Sequence, residues 1–179
     1  MVEIIKQTEA APDNYPGLPS GLSAMAAALD TDALWARIES HITYRFTARE
    51  LVWVIEGLKG DDWTPPLASV VSQVAQKWDG GAWVSVALQD GPLGLCLPSD
   101  GLFKVAAQVG AGPVPAPVSE AFRRLAEYLA DDGDQAGVSE YSFWIAEMSE
   151  SFKRNAAWTA KALQDSGAAD MLRPYRRVS

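Results

Sequence analysis

Histidine and cysteine are almost missing from this chain: its 179 residues hold one of each, His41 and Cys96. A lone cysteine excludes an internal disulfide and argues against a cysteine-rich metal site. A lone histidine leaves one place to build a serine–histidine–acid triad, and no G-x-S-x-G elbow accompanies any serine. His41, beside Ile38 and Ile42, reads as a helix residue, and Cys96, within GLCLP, as a packed thiol. Long apolar runs are missing as well; none approaches the roughly 20 residues that span a bilayer. The opening MVEIIKQTEAAPDNYPGLPSG has no basic start leading into an apolar run, so no secretion signal is expected. Basic residues are scarce, 15 Lys+Arg against 23 Asp+Glu, for a net charge of −8. An acidic body is repelled by the phosphates that drive most nucleic-acid binding, so tight DNA binding is not expected.

What the chain does have is enough apolar residue, 48%, for a real core. A chain this long removes roughly 70% of its unfolded surface from water on folding. One soluble domain with terminal excursions is the simplest expectation. Residues 1–21 carry Pro12, Pro16 and Pro19 and read as an extended arm. Over residues 22–46 the spacing of Leu22, Met25, Ala26 and Leu29, then of Leu34, Ile38 and Ile42, predicts two short helices. Across residues 50–110 the period falls to two: ELVWVIEG, VVSQVAQKW, WVSVALQ and GLFKVAAQV are strand-like runs between turn signals. The turn in WDGGAW, Trp78 to Trp83, is the clearest, because Gly80 and Gly81 tolerate positive φ. WTPPL cannot be a central strand, since proline donates nothing to the ladder. The expected unit is a small antiparallel sheet of four to five strands.

A strong amphipathic helix follows over residues 117–131, where Val118, Phe122, Leu125 and Leu129 share a face and Pro117 suits the first turn. Residues 138–152 alternate Tyr141, Phe143 and Ile145 with Ser142, Trp144 and Ala146, which fits an extended arm but leaves helix open. A last helix is expected over residues 155–166, with Asn155 as cap and Gly167 as stop. DDGDQAGVSE fails as a calcium loop because alanine stands at 136 where a third ligand belongs. GAGPVP lacks the third glycine and the Lys-Ser/Thr of a phosphate loop. No catalytic constellation and no cofactor or metal site is expected. Four of the seven tryptophans, Trp53, Trp63, Trp78 and Trp83, fall in the β-unit and read as core or interface; a carbohydrate platform is the alternative.

Charge is uneven. Residues 171–179 carry Arg173, Arg176 and Arg177 and no acid, contributing +3 and leaving −11 for the rest. EAFRRLAEYLAD, ESFKRNAAWTAKALQDSGAAD and the ending MLRPYRR, with WTPPLASV and VAQKWDGGAWV between, together resemble the head–tail connector (adaptor) proteins of tailed bacteriophages and phage-derived gene transfer agents. The resemblance runs from about Leu34 to Arg177. It departs from the commoner pattern at TYRFTARE, which has no Thr-Gly turn. It implies an α+β fold: a small helical bundle, a connector domain over 22–170, with the β-unit inserted between early and late helices, and an extended C-terminal arm over 171–179. It implies a ring, twelvefold like the portal it sits beneath, that extends the DNA channel without binding DNA specifically. Its partners are then the portal and the next neck protein, a stopper. The place is the neck of the virion or phage-like particle, and the bacterial cytoplasm during assembly. Leu172, Arg173, Pro174, Tyr175, Arg176 and Arg177 are the expected portal-docking residues, and Phe143, Trp144 and Trp158 further interface candidates. Another neck component (a stopper or tail-end protein) is the alternative in the same particle. The tail is expected to order only on docking, at roughly 1–2 kcal/mol per residue, so that one tail nearly breaks even and a ring of them holds.

Overall fold

The computed structural model describes residues 1–110, 112–131, 138–144, 149–154 and 158–176, with side chains left aside over 138–160. The fold is α+β, and the chain divides into two compact units: Met1–Tyr15 with Thr43–Pro113, and Pro16–Ile42 with Val114–Ser179. The β-rich unit is thus inserted between the early and late helices, as expected. The first residues are a correction. Glu3–Glu9 is extended as expected, but as strand β1 of the inserted unit, paired antiparallel with β2 (Arg49–Gly57), and not as a separate arm.

Strands β4 (Val70–Asp79), β5 (Ala82–Val86) and β8 (Gly101–Val109) complete a five-stranded antiparallel sheet in the order β1-β2-β8-β4-β5. Gly80 and Gly81, both at positive φ, close the two-residue turn between β4 and β5, as WDGGAW foretold. Alternation decides the faces. Leu51, Trp53 and Ile55 of β2 stand opposite Ala107, Val105 and Phe103 of β8, and all six are buried. A second sheet, of strands β3 (Asp62–Trp63), β6 (Gln89–Gly91) and β7 (Gly94–Cys96) in the order β3-β7-β6, adds Trp63 and Leu95 to the same core. Trp53 meets Trp63 edge to face at 5.3 Å and donates its indole N–H to Gln7 of β1 at 2.9 Å. The β-unit therefore has more strands than the four to five expected.

A charged clamp holds β1 to the loop that leads into β2. The Glu9 carboxylate accepts from Arg45 Nε at 2.6 Å and Nη2 at 3.0 Å, and from Arg49 Nη1 at 3.0 Å. Arg49 is buried, lies 5.5 Å over the Tyr15 ring and also donates to Thr47. Gly110, at φ 81°, ends β8 where a Cβ would come within 2.1 Å of the Thr47 carbonyl oxygen, so only glycine fits.

The helical unit starts with α1 (Ala24–Ala27) and α2 (Thr31–His41), which ends five residues before the expected helical stretch does. Asp30 caps α2, accepting from the N–H groups of Asp32 and Ala33 at 3.0 and 3.1 Å. The long helix α3 (Ala116–Ala130) buries Val118, Ala121, Phe122, Leu125 and Ala126 along one stripe. Trp35 of α2 packs on Phe122 with ring centroids 4.8 Å apart. Ser23 ties α1 to α3 by donating its N–H and hydroxyl to the Glu127 carboxylate at 2.7 and 2.8 Å. Val138–Trp144 and Ser149–Arg154 pair antiparallel as a hairpin, β9 and β10, so these parts of the ambiguous stretch are extended, while residues 145–148 lie outside the described residues. Helix α4 (Trp158–Asp165) follows; the expected cap Asn155 and the acidic turn 132–137 lie outside the described residues.

Candidate docking surface

The expected C-terminal arm is not extended. Gly167, at φ 71°, stops α4 as anticipated, but the chain turns at once into a further helix, α5 (Ala168–Leu172). A 3-10 turn over Arg173–Tyr175 follows, closed by the Arg176 N–H on the Arg173 carbonyl at 3.1 Å. The physical reason is burial. Ala168 and Leu172 sit one helical turn apart on the same face, and both are fully enclosed. Enclosing a leucine stabilises by about 1.5–3 kcal/mol, enough to hold a short helix that would not stand alone. Pro174 falls in the first turn of the 3-10 segment, where its missing N–H costs nothing.

The six expected docking residues therefore divide. Leu172 is an internal anchor with no surface left for a partner. Arg173, Pro174 and Arg176 are exposed, and Tyr175 is half-buried between them. Arg173 bridges to Asp170 at 3.1 Å, with both side chains about three-quarters exposed, so that pair contributes little to the fold. Arg177 lies outside the described residues. Phe143 and Trp144 belong to β9 and Trp158 opens α4, but their side chains lie outside the described residues too.

The surroundings add residues that the sequence did not tie to this corner. The Arg124 guanidinium passes beside Gly167, 3.4 Å from where a Cβ would stand. Arg124 and Arg123 donate to Glu120 at 2.9 and 2.7 Å, and these bonds hold the Glu120 carboxyl at about 2. Their i, i+3 and i, i+4 spacing was legible; the position of Arg124 beside Gly167 was not. His41 is the other addition. Its Nε2 is buried without a hydrogen-bonding partner among the described residues. Burial, then the positive charge of Arg176, pushes its pKa down.

That shift has a sign. The folded chain takes up this proton less readily than the unfolded chain, whose histidine titrates near 6.5. The contribution is intact above pH 6.5 and is lost as pH falls through the lowered folded value. Urea denaturation should show the midpoint falling between pH 7 and pH 5, and His41→Gln should flatten that slope. An equal fall in both proteins would place the sensor elsewhere.

Among the described residues, no three His, Cys, Asp or Glu side chains gather as metal ligands. No described helix is long and apolar enough to cross a membrane. The surface pair Trp78 and Trp83 meets edge to face at 5.1 Å, and Lys104 Nζ stands 5.1 Å over the Trp83 ring. The cation therefore stands over one of the two rings, and Trp78 remains exposed. No protein-family model matches the chain, and neither a curated protein nor a solved structure does.

Proposed function

We propose that this chain is a structural head–tail connector of a tailed phage or phage-like particle. In this reading it is not an enzyme. It forms a ring beneath the portal, extends the DNA channel and passes the connection on to the next neck component. The observation that carries the reading is the C-terminal corner: α5 and the 3-10 turn hold Arg173, Pro174, Tyr175 and Arg176 in one folded, outward presentation anchored by Leu172. Tyrosine and arginine are the side chains that most often anchor protein interfaces.

Prior folding alters the energetics expected from a loose tail. Residues 168–176 are already folded onto their own unit, so docking does not cost the roughly 1–2 kcal/mol per residue of fixing a free chain. Each arginine then contributes about 1.5–3 kcal/mol through charge-assisted hydrogen bonds to portal carboxylates. The net charge of −8 suits a passage through which DNA slides without sticking.

The test is co-sedimentation with purified portal. Arg173→Ala with Arg176→Ala should leave the fold intact and weaken portal binding by about 100-fold or more. Undiminished binding would remove the corner as the hook. Binding to a tail-end protein instead of the portal would move the chain to another position in the neck.

A further inference from the structure

The two edges of the five-stranded sheet are built differently. Edge strand β1, EIIKQTE, carries Glu3, Lys6 and Glu9 and a register shift between Ile4 and Lys6. Charges and bulges of this kind are how natural sheets stop an edge from pairing with another chain. The opposite edge, β5, is AWVSV: no charge, no proline, no glycine and an unbroken register with β4. Asp79 and Ala82 flank the two-residue turn and exchange hydrogen bonds, so the pairing alternates from there. The backbone N–H and C=O groups of Trp83 and Ser85 consequently point away from β4, where no further strand follows among the described residues. A cavity of about 550 Å³ opens on the sheet face at the Val86 end of β5, lined by Ala75, Ser85, Val86, Leu88, Leu95 and Val105. It offers room for side chains of an added strand.

The chain also holds a strand pair in need of a neighbour. Hairpin β9–β10 forms a two-stranded sheet of its own, and such hairpins are marginal in water until a third strand joins. Strand β10, SESFKR, spans six residues against the five of β5 and ends on Lys153 and Arg154. Antiparallel addition to β5 brings that basic end to the Asp79 end of the edge.

We infer that β10 of one copy adds antiparallel to the open edge of β5 of the next, joining copies head to tail. The inference deepens the connector reading by naming how neighbours in the ring meet. Edge and hairpin are different surfaces, so the contact is heterologous, and a heterologous contact repeats until a ring closes.

The test uses the full chain without portal, at high protein concentration. A benzophenone amino acid in place of Ser85, in a mixture of ¹⁴N- and ¹⁵N-labelled chains, should give mixed-isotope cross-links to peptides within 138–154. Cross-links of one isotope only, to another β5, to any other segment, or none, overturn the inference. Two variants then complement each other. Ser85→Pro removes one outward donor, and a Gly-Ser linker replacing residues 138–154 removes the hairpin. Each alone should lose at least 90% of the wild-type oligomer by mass photometry, and their equimolar mixture should form dimers and stop there. Wild-type assembly by either variant alone, or a mixture that stays monomeric, overturns it. Val84→Lys gives the same readout if proline lowers the melting temperature. Cross-linking that persists in a chain unable to bind portal would sink the connector reading and leave this contact standing; the reverse would sink the contact alone.

Discussion

Glu9→Ala should destabilise the protein by about 3 kcal/mol, a large effect for a residue near the start of the chain. The reason is what the substitution leaves behind. Glu9 is the carboxylate shared by Arg45 and Arg49, whose side chains are 11% and 4% exposed. Removing it takes the carboxylate from two positive charges where water cannot easily reach them, and their remaining bonds to Tyr44 and Thr47 and the Tyr15 ring offset only part of the desolvation. Loss of packing is the smaller effect, because Glu9 itself is partly exposed. The melting temperature should fall by about 6–12 °C for a chain of this size. Glu9→Gln keeps the shape and an acceptor and should cost less than Glu9→Ala.

The same clamp gives an acid signature. Burial alone would raise the Glu9 pKa, but the Arg45 hydrogen bond and the charges of Arg45 and Arg49 outweigh it and hold the carboxyl below its ordinary 4.5. The clamp's contribution is therefore complete above pH 4.5 and disappears as pH falls through the lowered folded value. Glu9→Gln should lack that part of the acid transition in a denaturation series from pH 5 to pH 2. A transition unchanged by the substitution would mean that the clamp does not hold in solution.

Leu172→Ala should cost about 2–5 kcal/mol, because the side chain is wholly enclosed and its removal leaves a cavity that a short helix can close only by moving. The functional loss should exceed the stability loss. Hydrogen exchange should show the amides of residues 168–176 opening well before the rest of the helical unit. Portal binding should fall as it does for the arginine pair, although both arginines are still present. Arg173→Ala with Arg176→Ala should leave exchange in this segment nearly as in the parent. The contrast separates a residue that holds the corner from the residues proposed to dock. Full portal binding by Leu172→Ala would mean that the corner need not be folded beforehand.

Much of this architecture was legible. The double glycine of WDGGAW could serve only as a tight turn, and the stripe of α3 has no other good reading. The insertion of a β-unit between helices followed from the change of period. What was missed has common causes. EIIKQTE has too many polar residues to advertise a strand, and its strand character comes from pairing with β2, some fifty residues away. The strands of the second sheet have two or three residues, too few to show a period. MLRPYRR looked like a loose end because its arginines and proline dominate the composition. One leucine, enclosed by residues far off in sequence, decides otherwise. For the same reason His41 passed as an ordinary helix residue, since nothing near it in sequence announces Arg176.

The order in which the chain is made has a consequence for assembly. Everything the β-rich unit needs, Met1–Tyr15 and Thr43–Pro113, has been synthesised before α3 begins. The helical unit must wait for Leu172, so the corner is the last part of the described fold to be completed. In the proposed connector role, a polypeptide released early by the ribosome would carry a finished sheet and no grip on the portal. Incomplete copies would thus be kept out of the particle by their own topology, without a separate inspection step.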